Sequence, residues 1–228
     1  MKIYLHLFLS VLLLPGCAEE QAAAGQRADD RPRQVEDAAA DTDRPVIVFF
    51  GNSLSAGYGL EPEQAFPALI QQRLDSLGYD YEVINAGVSG ETSAGGKARV
   101  DWILRQPVDI FVLELGGNDG LRGIPPEETR ANLQAIIDKV QAEQPEAQII
   151  LAGMEAPPNM GADFTGAFRR LYPALAAEND IPLIPFLLAG VGGEPHLNQP
   201  DGIHPNARGA RIVADNVWEV LEKTLPPQ

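Results

Sequence analysis

The chain predicts a three-layer α/β/α domain, and three observations carry that prediction. From residue 45 onward, short apolar runs alternate with segments of helical character. The runs are nearly continuous in hydrophobicity, as in parallel strands covered on both faces. Words rich in Gly, Asn and Ser follow the runs, where an open α/β sheet binds its ligands, beyond the carboxyl ends of its strands. Together they give a parallel sheet of about five strands with helices on both sides.

The elements read in order. Pro45–Phe50 is the first strand and Pro62–Leu77 the first long helix; Tyr81–Asn85 and Gly95–Arg105 follow as strand and helix. Asp109–Glu114 is the third strand. Pro126–Gln144 is a helix opening on proline, which is welcome there because the first helical N–H has no partner. Gln148–Met154, Asp163–Glu178 and the brief Leu183–Ile184 complete the alternation. The last helix, Pro205–Leu225, again opens on proline and carries Ile212, Val213, Val217, Val220 and Leu221 on one face. No internal repeat is evident.

The segment before residue 45 is of another kind. Lys2 precedes an apolar stretch, Ile3 to Leu14, too short to span a bilayer. Residues 1–16 therefore read as a secretion signal. Leu14-Pro15-Gly16-Cys17 resembles a bacterial lipobox, in which the cysteine is lipidated and becomes the first residue of the mature protein. Cys17 is the single cysteine of the chain, so it has no disulfide partner. Residues 17–44 are rich in Ala, Asp, Glu, Arg and Gln and lack the apolar surface that would offset ordering entropy. They read as a tether with a span of roughly 25–30 Å. The expectation is an exported protein, lipid-anchored through Cys17 on the periplasmic or outer face of a bacterial membrane, with a catalytic domain over 45–228.

Charge narrows the partners. A net charge of −15 argues against nucleic acid, which requires clustered Lys and Arg. It gives no attraction to anionic headgroups either, so membrane contact rests on the anchor. A monomer is expected.

The residues that bear chemistry are few. Ser53 sits in Gly51-Asn52-Ser53-Leu54-Ser55, on a turn leaving the first strand. A serine hydroxyl is a weak nucleophile until a base takes its proton, and this one, taken alone, is equally a plain turn serine. Of three histidines, His6 leaves with the signal; His196 has Glu194 beside it, and His204 stands in Asp201-Gly202-Ile203-His204-Pro205. The short spacing lets the Asp201 carboxylate reach the imidazole and fix its tautomer, or merely bond the turn backbone. An oxyanion needs preorganised donors. The Ser53 N–H, the Gly90 N–H and the Asn118 side-chain amide are candidates, although Gly and Asn are favoured in turns anyway. Glu91–Lys97 misses the first glycine of a P-loop, and Ala98 follows Lys97. The GxSxG elbow is absent. Asp119, Asp201 and His204 lack the spacing of a metal-ligand set.

Four words belong together: GNSLSAGYG at 51–59, NAGVSGET at 85–92, ELGGNDGLRG at 114–123 and DGIHP at 201–205. They resemble the four blocks of the SGNH (GDSL-type) hydrolases, most closely the bacterial branch of thioesterases, lysophospholipases and arylesterases, through essentially all of residues 45–225. The resemblance implies Ser53 as nucleophile, His204 as base with Asp201 as its partner, and Ser53, Gly90 and Asn118 as oxyanion donors. It also implies a flavodoxin-like sheet, no cofactor, and a small-molecule ester as substrate; with no ligand-spaced cluster, no metal is expected either. Lysophospholipids, acyl thioesters, aryl esters and acetylated sugars all stay open, as does a non-catalytic binding lipoprotein. One position departs from the family: Asn52 stands where its first block usually has Asp. The Asn keeps the size and the carbonyl acceptor and loses the charge. Leu187, Leu188, Met160 and Phe164 are the candidates for an apolar substrate slot.

Overall fold

The computed structural model describes residues 44–227. The expected secretion signal, Cys17 and the expected tether lie outside the described residues, except for Arg44. That residue belongs with the domain: its guanidinium donates to the Tyr81 carbonyl (2.8 Å) and pairs with Asp80 (2.7 Å).

Five parallel strands form one sheet in the order β2-β1-β3-β4-β5. They are β1 (Val46–Gly51), β2 (Glu82–Asn85), β3 (Ile110–Glu114), β4 (Gln148–Ala152) and β5 (Leu183–Ile184). The helices are α1 (Ser53–Ala56), α2 (Phe66–Leu77), α3 (Ser93–Ile103), α4 (Gly117–Arg122), α5 (Pro126–Glu143), α6 (Ala162–Asn179) and α7 (Ala207–Leu221). The chain steps from β1 outward to β2, then back across β1 to β3, β4 and β5. Right-handed crossovers then put α2 on one face and α3, α5 and α6 on the other. Contacts agree, with α2 packed on α7 and α5 packed on both α3 and α6.

The central strands are apolar because both their faces are covered. Ile47, Phe49, Phe50, Phe111, Leu113, Ile150 and Leu151 are buried, as are Leu133, Ile136 and Val140 on α5. β2 departs from that expectation. It is an edge strand, only half-buried, and the Gln71 side chain protects it by accepting from the Val83 N–H (2.7 Å) and donating to the Tyr81 carbonyl (3.0 Å).

Several helix ends differ from the sequence reading, each for a local reason. Pro62–Gln64 is a separate 3-10 turn, and α2 begins at Phe66. Thr92 caps α3, which starts two residues early. Pro205 does not open the last helix. It bridges to Asn198, and Asn206 caps α7 by accepting from the Arg208 and Gly209 N–H groups. Two short helices, α1 and α4, stand where turns and loops were expected, too brief to show a hydrophobic period.

Gly96 lets α3 lie close on the sheet: a Cβ there would fall 2.2 Å from Leu115 Cδ1 and 3.1 Å from Phe50 Cε1. Helix propensity favours Gly96→Ala by about 1 kcal/mol, whereas overpacking a tight core costs about 1–3 kcal/mol. The clash wins, and the variant should melt about 2–4 °C lower per kcal/mol lost in a calorimetric scan.

Candidate active site

The site lies where the chain reverses direction across the sheet, beyond the carboxyl ends of β1 and β3. In register, Gly51 pairs with Glu114, so the turn after β1 and the helix after β3 start side by side. Asn52 leaves β1 and caps α1, its Oδ1 accepting from the Leu54 N–H (2.9 Å). Ser53 follows, 8% exposed. Gly51 allows the approach, because a Cβ there would meet Ser55 Oγ at 2.2 Å and Glu114 Oε2 at 2.3 Å.

His204 arrives from the loop before α7. Its Nε2 is 2.9 Å from Ser53 Oγ, and its Nδ1 is 2.7 Å from Asp201 Oδ2. An ionised carboxylate only accepts, which assigns the imidazole proton to Nδ1 and leaves Nε2 to accept from the serine hydroxyl. Asp201 does both things its spacing allowed. One oxygen takes the imidazole; the other accepts from the Ile203 N–H (2.9 Å) and the His204 N–H (3.0 Å). Those bonds, the His204 backbone N–H foremost, hold the Asp201 carboxyl down at about 2. Gln199 fastens this loop to the serine turn, donating to the carbonyls of Tyr58 (2.6 Å) and Pro205 (3.0 Å). His196 is elsewhere, exposed and 3.7 Å from Glu194.

The candidate oxyanion donors come from two more segments. Asn118 lies in the first turn of α4 and spends one amide hydrogen on the Glu91 carbonyl (2.9 Å); the second remains to give. Gly90 has φ +82°, and its carbonyl accepts from Arg122 Nη2 (3.0 Å). Arg99 stiffens that segment, bonding both oxygens of Glu91 (2.7 and 2.5 Å) and the Ala86 carbonyl (2.8 Å). Ser53, Asn118 and His204 line one open cleft of about 660 Å³; Gly90 stands outside that lining. Asp119 faces inward, holding the Ser93 N–H (2.9 Å) and hydroxyl (2.5 Å). Among the described residues no group of three or more His, Cys, Asp or Glu is gathered to hold a metal ion.

Of the expected slot residues, only Leu188 lines the cleft, joined by Leu121, Met154, Pro157, Phe186 and Ile203. Leu187 is fully buried in the core. Phe164 stacks on Phe168 (6.0 Å between centroids), and Met160 packs beneath Gly123. Both were drawn away by α6 and by a 3-10 turn at Pro158–Met160, tertiary packing that residue type does not reveal.

Two contributors escaped the sequence reading. Tyr58 leans on the His204 ring, centroids 4.6 Å apart, and its only signal was its place in SAGYG. Glu114, the last residue of an otherwise apolar strand, reads from the sequence as a plain strand end. It is fully buried and accepts from the Asn52 N–H (3.0 Å), Asn52 Nδ2 (2.7 Å), the Ser55 N–H (3.3 Å) and the Ser55 hydroxyl (2.8 Å). Burial pushes its carboxyl up to about 7 against the pull of those four bonds.

The GDSL-like Lipase/Acylhydrolase family model matches residues 49–212, a span that holds all four words and every catalytic candidate. The chain belongs to that family. Its chemistry is therefore carboxylic ester hydrolysis. This hydrolase is 44% identical over 192 residues to Esterase TesA of Pseudomonas aeruginosa, covering 84% of this chain and 92% of that one. It is 42% identical over 191 residues to Thioesterase 1/protease 1/lysophospholipase L1 of Escherichia coli K12, covering 83% and 86%. A crystal structure of TesA superposes with a TM-score of 0.76 at 44% identity, over 79% of this chain and 99% of that one.

Glu114 gives the hydrolase a pH signature. Its folded-state value lies above the ordinary 4.5. Its stability contribution is thus full below about 4.5 and lost as pH rises through about 7. Melting temperatures should fall from pH 5 to pH 8 in the wild type, and Glu114→Gln should flatten that slope; equal slopes would contradict the assignment.

Proposed function

We propose that the protein is a serine esterase that works through an acyl-enzyme, with Ser53 as nucleophile, His204 as general base and acid, and Asp201 as the group that orients and stabilises the imidazolium. The observation that carries this reading is the unbroken chain from Ser53 Oγ to His204 Nε2 (2.9 Å) and from His204 Nδ1 to Asp201 Oδ2 (2.7 Å). The ester carbonyl enters the cleft above Ser53. As Oγ attacks, its proton passes to Nε2, and the tetrahedral anion is met by the Ser53 and Gly90 N–H groups and the free amide hydrogen of Asn118. His204 returns the proton to the leaving oxygen or sulfur. Water, activated by the same imidazole, then releases the acid.

Substrate choice follows the cleft wall. Leu121, Met154, Pro157, Phe186, Leu188 and Ile203 form an apolar lining suited to an acyl chain longer than acetyl, at about 0.8 kcal/mol per buried methylene. Its openness accommodates acyl thioesters, lysophospholipids and aryl esters, and the names carried by the TesA and Escherichia coli relatives agree with that range. We further propose export and lipid anchoring at Cys17, supported by the apolar leader and the lipobox-like Leu14-Pro15-Gly16-Cys17. The domain would then work beside a membrane.

A 4-nitrophenyl ester series from acetate to palmitate tests the catalytic reading. Ser53→Ala should abolish turnover with the fold intact, and Asp201→Asn should lower kcat by roughly 10³–10⁴-fold. His196→Ala should retain nearly all activity. An acetate optimum would move the assignment to a carbohydrate or aryl acetylesterase, and full turnover by Ser53→Ala would remove it. For the anchor, Cys17→Ser should shift the protein from the membrane fraction to the soluble fraction and end palmitate labelling.

A further inference from the structure

Glu114 is enclosed at the end of β3, and the acyl-enzyme route gives it no proton to move. Three donors meet its Oε2 and one, Asn52 Nδ2–H, meets Oε1. Every group bonded to its two oxygens is a donor and none is an acceptor for a carboxyl proton, so the set matches the ionised carboxylate. Asn52 transmits this constraint. With Nδ2 fixed on Glu114, its Oδ1 must face the other way, where it accepts from the Leu54 N–H (2.9 Å) and lies 3.4 Å from Ser53 Oγ.

We propose that Glu114 is the positioning residue of the nucleophile and acts through Asn52, whose amide gives to the buried carboxylate and takes from the serine turn, holding Ser53 Oγ within reach of His204. Aspartate at position 52 has no hydrogen for that role. Its carboxylate would face Glu114 at hydrogen-bond distance, and the two would have to share one proton. Asparagine leaves a single buried negative charge instead of a coupled pair. At pH 8 that charge is present, because Glu114 loses its proton at about 7.

The other ionisable groups nearby are already engaged. Arg99 on α3 approaches the Gly51 carbonyl (3.4 Å) and bonds Glu91. Asp119 on α4 is held by Ser93, and Tyr172 on α6 donates to the Leu115 carbonyl (3.1 Å). His204 stands beyond Ser53. Among the described residues no cation pairs with Glu114; neutral donors alone support its charge.

The proposal rests on the serine-esterase reading, and a variant cycle on the full-length protein separates the two. In Glu114→Gln, the new amide can serve the three donors with its oxygen, but its NH₂ then confronts Asn52 Nδ2, donor against donor. Adding Asn52→Asp restores an acceptor there and leaves an oxygen for the Leu54 N–H. With 4-nitrophenyl butyrate at about pH 8, Glu114→Gln should lose roughly 10- to 100-fold in kcat with KM within about twofold. The double variant should recover most of that loss. Asn52→Asp alone should lose activity as pH rises from about 6 to about 9 and the shared proton departs. Unchanged kcat in Glu114→Gln, or a double variant no better than its worse parent, overturns the proposal. If Glu114→Gln fails to fold, recovery of folded, active enzyme in the double variant supports the pairing and non-recovery overturns it. Ser53→Ala, run alongside, tests the esterase reading by itself. Melting temperatures of the four cycle proteins read the Asn52–Glu114 coupling whatever the activity, and additivity there overturns the pairing.

Discussion

A carboxylate that has left water must find donors, and at the β1–β3 junction, among the described residues, it finds them only in the serine turn. Glu114 takes both N–H groups and both side chains that Asn52 and Ser55 can offer, so the turn's shape is the shape of that solvation shell. The register pairing of Gly51 with Glu114 fixes where the charge sits, and the missing Cβ at Gly51 lets the turn close on it. Placement of Ser53 thus depends on sheet pairing that was set well before any substrate arrives. Stability and geometry pull in opposite directions here. Burial raises the Glu114 carboxyl and favours its protonated form, while the surrounding donors match the ionised one.

Around that anchor the remaining groups are tied in pairs across segments. Gln199 joins the histidine loop to the serine turn, Asn118 joins α4 to the Glu91 carbonyl, and Arg122 and Arg99 hold the strand of residues that carries Gly90. Each tie is a hydrogen bond to a backbone carbonyl or a charged pair, which constrains main-chain position more than side-chain rotamer. A site assembled from four loops needs such cross-bracing, because misplacement by an ångström costs orders of magnitude in rate. The substrate side is built differently, as an open apolar wall that favours burial and imposes little direction.

Much of this was legible in the chain. All five strands and five long helices were placed, since continuous apolar runs and a 3.6-residue period survive translation into structure. The short helices α1 and α4 were not, because four to six residues carry no period. Asp201 and His204 were legible through a three-residue spacing that needs no tertiary information. Glu114 was not, because a glutamate at a strand end reads as a solvent-facing terminus until β1 covers it.

The sequence by itself determined the layered fold, the order of the four words after successive strands, and the short list of residues able to perform ester chemistry, since these depend on local pattern and residue type. Tertiary structure alone decided that Asp201 serves both the turn and the imidazole. It also decided that Met154 and Phe186 rather than Met160 and Phe164 line the cleft, and that a buried glutamate holds the serine turn. Each of those is a contact between segments far apart in sequence, fixed by how the sheet and its helices close on one another.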